Sequence, residues 1–236
     1  MKRKFLACLA LIGFGFGIFT AAESDEKTVL ELKQNLRKYI AQKAGKTPSG
    51  TTIPKGDPAN WAWEQYHAVQ KQDQKVLYWL VGEHLLIADK RYLPAKKAEE
   101  KRHGLGIAYE ACTCALHRIK DPKLGVAICE AYVIPNLEFA EESHYELLSK
   151  VNLIELIIDA YANAEDAPKL IAAFRLLLEN AHNRNTQDGA RLRLAQVLDK
   201  QQRYEEAIDL LKEIDDKGGV RGAKKLIPII EKKMKK

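Results

Sequence analysis

Pro58-Ala-Asn-Trp-Ala-Trp-Glu64-Gln-Tyr-His67, Pro94-Ala-Lys-Lys-Ala-Glu-Glu100-Lys-Arg-His103 and Pro135-Asn-Leu-Glu-Phe-Ala-Glu141-Glu-Ser-His144 decide how this chain is read. In each, Glu follows Pro by six residues and His by nine; the prolines stand 36 and 41 apart, and Pro168 follows 33 later without the pair. A proline in the first turn of a helix loses no hydrogen bond, because that N–H has no partner in any case. Helices punctuated at such intervals stack as hairpins that each bury a face on the next. The expected fold is all-α, an α-α superhelix (solenoid) of antiparallel helical hairpins over residues 58–236.

Outward from this core, residues 24–44 predict one amphipathic helix. Ser24 is its cap, Asp25 and Glu26 fill its first turn, and Val29, Leu32, Leu36 and Ile40 form its apolar stripe before Gly45 ends it. Residues 45–57 hold Gly45, Pro48, Gly50, Pro54 and Gly56 among Thr, Ser and Lys and read as a flexible linker that separates this N-terminal helix (23–44) from the rest. Farther out, Met1-Lys2-Arg3-Lys4, the apolar run Phe5 to Phe19 and Thr20-Ala21-Ala22 have the order of a secretory signal peptide, residues 1–22. The expectation is an exported protein, periplasmic or secreted, with no membrane span once the leader is gone. The whole chain of 236 residues carries a net +6. Three of those charges are Lys2, Arg3 and Lys4, and Lys232, Lys233, Lys235 and Lys236 form a tail. The basic balance is therefore an export address and a helix end, and no nucleic-acid partner is expected.

Two stretches resemble known repeat families. Ala115-Leu116-His117-Arg118-Ile119-Lys120-Asp121-Pro122 is similar to the turn of HEAT-like repeats, with Asp121 as N-cap and Pro122 in the first turn. Ala190-Arg-Leu-Arg-Leu194-Ala195-Gln-Val-Leu198 followed by Tyr204-Glu-Glu-Ala207-Ile-Asp-Leu-Leu211 resembles a tetratricopeptide repeat over 188–214. Leu194 and Ala195 stand at that family's Leu and small-residue positions, while Arg191 replaces its frequent Trp and Gln202 its frequent Gly. Residues 153–181 look like a degenerate preceding unit built on Ile157, Ala160, Tyr161, Ala172, Leu176 and Leu177. A closing helix over 220–234 is expected to bury Leu226, Ile229 and Ile230. The resemblance implies a non-catalytic, cofactor-free module that binds a protein or peptide, with Asn163, Gln187 and Arg191 as candidate surface residues on the first helix of each unit.

Other chemistry is weighed against this. With Glu179 and His182, four of the six histidines follow a Glu by three residues, a spacing that puts both side chains on one helix face. The alternative function is a di-iron or zinc-type metal-binding helical protein using Glu64, His67, Glu141 and His144. A solenoid, however, sets equivalent positions in a row about 8–10 Å apart, whereas ligands must converge to about 2.1 Å from one ion. Behind the leader stand Cys112, Cys114 and Cys129. Folding the hairpin at Lys120-Asp121-Pro122 brings Cys129 opposite Cys112 or Cys114, and one disulfide is expected there. Trp61, Trp63, Tyr66, Tyr78 and Trp79 pack the first hairpin or form an exposed strip for a ligand. No phosphate loop, Gly-x-Ser-x-Gly elbow or His-Glu-x-x-His helix occurs, and no enzyme activity is expected.

Overall fold

The computed structural model describes residues 26–70, 72–141, 148–215, 220 and 222–235. The expected leader, the Ser24 cap and His144 lie outside these. Among the described residues the chain forms helices α1 (Glu26–Ala44), α2 (Pro58–Ala68), α3 (Gln74–Ile87), α4 (Ala98–Thr113), α5 (Pro122–Ile128), α6 (Lys150–Asn163), α7 (Ala167–Asn180), α8 (Arg184–Lys200), α9 (Tyr204–Glu213) and α10 (Ile227–Met234). The one extended pairing among them is a single bridge between Glu141 and Ser149. The fold is all-α, and none of these helices is long and apolar enough to cross a membrane.

Local chemistry sets most of the starts. Asp57, Asp121, Ser149, Asp166 and Asn183 each accept a hydrogen bond from the backbone N–H three residues on, as N-caps do. Pro58, Pro122 and Pro168 then sit in the first turn. The expected turn at Asp121-Pro122 is therefore present, closed by Lys120 in the left-handed region at φ 60°. The three-fold proline repeat is not. Pro94 lies in the turn ahead of α4, which starts four residues later at Ala98 behind an uncapped Lys97. Pro135 lies inside a 3-10 turn, Ile134–Phe139. The matching prolines thus serve different local structures.

In the first half, helices widen where they end. α3 runs on into a π-helical turn at Ala88–Tyr92, α4 into one at Cys114–Ile119, and α5 into one at Cys129–Val133. Packing there skips a neighbour, α1 lying on α3 and α2 on α4. From α6 to α10 each helix packs on the next in the chain. One core runs through both halves, from Leu36 and Ile40 of α1 to Ile230 of α10. Ile229, expected on the buried face of the closing helix, is 54% exposed instead, since Ile230 occupies that face.

Residues 45–57 are irregular, as expected, but they do not separate α1 from the rest. Glu83 on α3 is only 2% exposed. A buried carboxylate must find donors, and the Ser49 amide, the Ser49 hydroxyl and the Gly50 amide (2.7 Å) supply them. Lys90 Nζ donates to the Ser49 carbonyl at 2.6 Å. Gly50 has φ +60°, and a Cβ there would stand 2.5 Å from Leu86 Cβ, so only glycine allows this approach. The segment is a strap across α3.

Candidate functional site

Among the described residues the Glu-x-x-His pairs do not assemble into one ligand set. Glu64 Oε1 accepts from Asn60 Nδ2 at 2.9 Å, and His67 stacks on Trp63 with ring centroids 4.1 Å apart while its Nδ1 lies 2.9 Å from the Trp63 carbonyl. His103 Nδ1 faces Asp57 at 3.8 Å, and Glu141 faces Arg102 at 3.7 Å. Glu141 and His182, from two different copies of the motif, line one cleft of about 550 Å³ with Glu138, Lys150 and Asn180. Among the described residues no group of three or more His, Cys, Asp and Glu side chains is placed to hold a metal ion.

The hairpin register expected from Asp121-Pro122 brings Cys112 and Cys129 together, with Sγ atoms 3.4 Å apart and buried. Both thiols are free, so the expected bridge is not formed in this structure. The Cys112 thiol also lies 3.6 Å from the Gly125 carbonyl. Cys114 points elsewhere, and burial pushes its thiol up to about 12.

The three surface candidates differ. Asn163 is exposed at the end of α6, its Nδ2 donating to the Asp159 carbonyl at 2.7 Å. Gln187 is half-buried and donates to the Ala181 carbonyl at 2.7 Å. Arg191 is committed inside the molecule. Its side chain is 17% exposed, holding Asp188 at 3.1 Å and Glu213 at 3.0 Å. Asp188, 2% exposed, needs that guanidinium together with Arg184, so Arg191 is a tie between α8 and the end of α9.

The aromatic stretch splits. Trp61 and Tyr66 are buried and enclose His84, whose ring centroid lies 4.5 and 4.7 Å from theirs. Burial pushes His84 down to about 3, so it stays neutral. Trp63 faces outward at 45% exposure. Tyr78 and Trp79 are half-buried and open onto a face whose other members, Tyr39 and three lysines, the sequence did not single out. There the Tyr39 and Tyr78 hydroxyls both donate to Asp121 Oδ2 at 2.6 Å while Asp121 Oδ1 caps α5. The two rings meet edge to face, 6.4 Å between centroids. Lys43 and Lys123 Nζ stand 5.5 and 5.1 Å from the Tyr39 ring centroid, and Lys46 Nζ stands 3.8 Å from that of Trp79. Burial, then the bond to Asp121, pushes the Tyr39 hydroxyl up to about 12, and the same causes raise Tyr78 further. Both phenols therefore remain donors at neutral pH. Two signals in the sequence point this way: Tyr39 and Lys43 are spaced i, i+4 on α1, and Tyr78-Trp79 stand together on α3.

These features define an all-helical chain whose helices pack on their neighbours, compatible with a helical-repeat fold. No protein-family model matches it, and neither a curated protein nor a solved structure does.

Proposed function

We propose that this is an exported, non-catalytic helical-repeat protein that binds a protein or peptide partner and serves as a scaffold in the cell envelope, with tetratricopeptide character in α8 and α9. The observation that carries the reading is the lysine–aromatic face: cations and rings from α1, the strap, α3 and α5 are brought together. Trp and Tyr supply contact area at low entropic cost, and charge complementarity steers a partner to its site. The tetratricopeptide reading is supported by the pairing of α8 with α9. Ala190, Leu194, Ala195 and Leu198 are buried on one helix, Ala207 and Leu211 on the other, where small residues let two antiparallel helices approach closely. The export reading rests on the cationic leader and its apolar run.

The test has two parts. Cell fractionation with N-terminal sequencing is expected to find the chain outside the cytoplasm and starting near Glu23. In-cell crosslinking through the lysine–aromatic face is expected to yield a discrete adduct whose partner, once purified, rebinds the protein. A cytoplasmic chain with an intact leader sinks the export reading, and the absence of any adduct sinks the scaffold.

A further inference from the structure

None of the cations of the lysine–aromatic face is in ion-pair contact with a carboxylate among the described residues, and Asp121 alone meets the field of one of them, Lys43. Several basic side chains on other helix surfaces are paired with carboxylates: Lys33 and Arg37 with Asp89, Lys169 with Glu130, Arg193 with Glu155, Arg203 with Glu206. Lys43, Lys46 and Lys123 lie over rings instead, and none of them forms an ion pair among the described residues. Asp121, the carboxylate nearest Tyr39, is occupied by two phenols and a backbone amide. Its charge is balanced by these donors and by the field of Lys43, and they hold its carboxyl below the ordinary value although burial opposes them. The surface left to a partner is cationic.

We propose that the face formed by Lys43, Lys46 and Lys123 over Tyr39, Tyr78 and Trp79 docks an acidic peptide segment of the partner protein. This rests on the scaffold reading above and adds the chemistry of what is bound. Carboxylates of the segment meet the three ammonium groups, and its aliphatic or backbone surface lies against the rings. A lipid surface is the poorer fit. The three rings are half-buried, so only part of their apolar surface is free to enter a bilayer.

The test titrates the purified protein with a fluorescein-labelled peptide of eight alternating Glu and Asp residues, read by fluorescence anisotropy. A neutral Ser/Gly peptide and vesicles of phosphatidylglycerol and phosphatidylethanolamine run in parallel. Binding of the acidic peptide alone is expected. It should weaken about ten-fold or more in the triple variant Lys43→Gln/Lys46→Gln/Lys123→Gln, survive in the triple arginine variant, and fade as salt shortens the range of the field. Circular dichroism melts of the variants confirm that each is folded, since all three lysines are exposed. Equal affinity in wild type and glutamine variant overturns the proposal, as does binding to the vesicles without the peptide. The crosslinking test keeps the two readings apart: a partner still rebound by the glutamine variant leaves the scaffold standing and removes the acidic-peptide docking.

Discussion

Asp121 and Asp166 perform the same local task and live in different structures. Each caps a helix with a proline in its first turn, and each accepts from the backbone N–H three residues on, at 3.0 and 3.2 Å. The Asp166 side chain otherwise pairs with Lys169, one turn away at 3.5 Å. Asp121 also gathers Tyr39 from α1 and Tyr78 from α3. The contrast runs through the molecule. In α1–α5, Glu83, Asp89 and Asp121 are shared acceptors that join elements 30 or more residues apart, and three helices end in π-helical turns. In α6–α9 consecutive helices meet through aliphatic and small residues, with ion pairs on the rim. Sequential packing joins its neighbours largely through apolar contact, with Asp188 and Arg191 as a buried polar link to Glu213. Packing that skips a neighbour draws instead on several shared carboxylates.

The sharpest way to break this comparison is Asp89→Ala. Asp89 is 10% exposed on its side chain and accepts from Lys33 and Tyr132 at 2.6 Å, and from Arg37. Removing it strands the buried Tyr132 hydroxyl and the largely buried Lys33 ammonium, which costs about 3 kcal/mol, while the partly exposed Arg37 is released to solvent at little cost. Denaturant unfolding should register that loss, and hydrogen exchange should show α1 losing protection before α8 does. Unchanged protection in α1 would mean that buried carboxylates do not hold the first half together.

Next in size is a bond that this half is poised to make. Cys112 and Cys129 close a loop of 17 residues, and a disulfide there is worth about 3 kcal/mol. On the export proposal, forming it releases two protons and passes two electrons to a disulfide oxidant of the compartment outside the cytoplasm. The hydrogen bond to Cys112 and burial raise the Cys129 thiol well above its ordinary value, so thiolate is scarce once the chain is folded. The bridge is expected to form during folding. Alkylation of unfolded, non-reduced protein recovered from outside the cytoplasm should then modify Cys114 but neither Cys112 nor Cys129; modification of all three defeats the prediction.

The two halves also differ in how far the sequence reveals them. Ala190, Leu194, Ala195 and Leu198 are legible because packing on the next helix in the chain leaves a 3.6-residue period of small and apolar residues, and all four are buried. Caps are legible for the same local reason, as Asp121 and Asp166 show. The strap over α3 was not, because Ser49 and Gly50 bond to Glu83, 33 or more residues away, and a Gly/Pro-rich stretch reads alike whether it is free or tied. Arg191 looks like a surface residue until Asp188 and Glu213 are folded against it. Of the lysine–aromatic face only Tyr78 and Trp79 stood out, because its other members come from α1, the strap and α5, which only tertiary packing brings to them. The repeated Pro, Glu and His spacing misled for the converse reason. Identical spacing was placed on a helix start, a pre-helical turn and a 3-10 turn, where it means different things.

A pH series sharpens the comparison further. Glu110 on α4 is 7% exposed, and burial without a cationic partner pushes its carboxyl up to about 7. The folded chain then holds this proton more tightly than the unfolded one, whose carboxyl titrates near 4.5. Its contribution to stability is complete below that value and is lost as pH rises through 7, by up to about 3 kcal/mol. Glu110→Gln is expected to match the wild type at pH 4.5 and to exceed it at pH 8 by an amount of that order. A constant difference between the two proteins across this range would show that Glu110 is already ionised in the fold.

The smallest effect is the counterpart of the first. Glu206 on α9, like Asp89, meets two cations: Arg175 at 3.2 Å and Arg203 at 2.6 and 2.7 Å. Its side chain is 48% exposed, against 10% for Asp89. Water already solvates these charges and salt screens them, so Glu206→Ala is expected to cost less than about 1 kcal/mol, falling toward zero in 1 M NaCl. The two arginines it releases return to solvent, whereas Lys33 and the buried Tyr132 hydroxyl have little access to water when Asp89 is lost. Paired denaturation curves of Asp89→Ala and Glu206→Ala, at low and high salt, therefore measure the difference between the halves with contact chemistry held nearly constant. Equal losses would place the origin of the difference outside the burial of the carboxylates and leave the π-helical turns as the feature that distinguishes α1–α5.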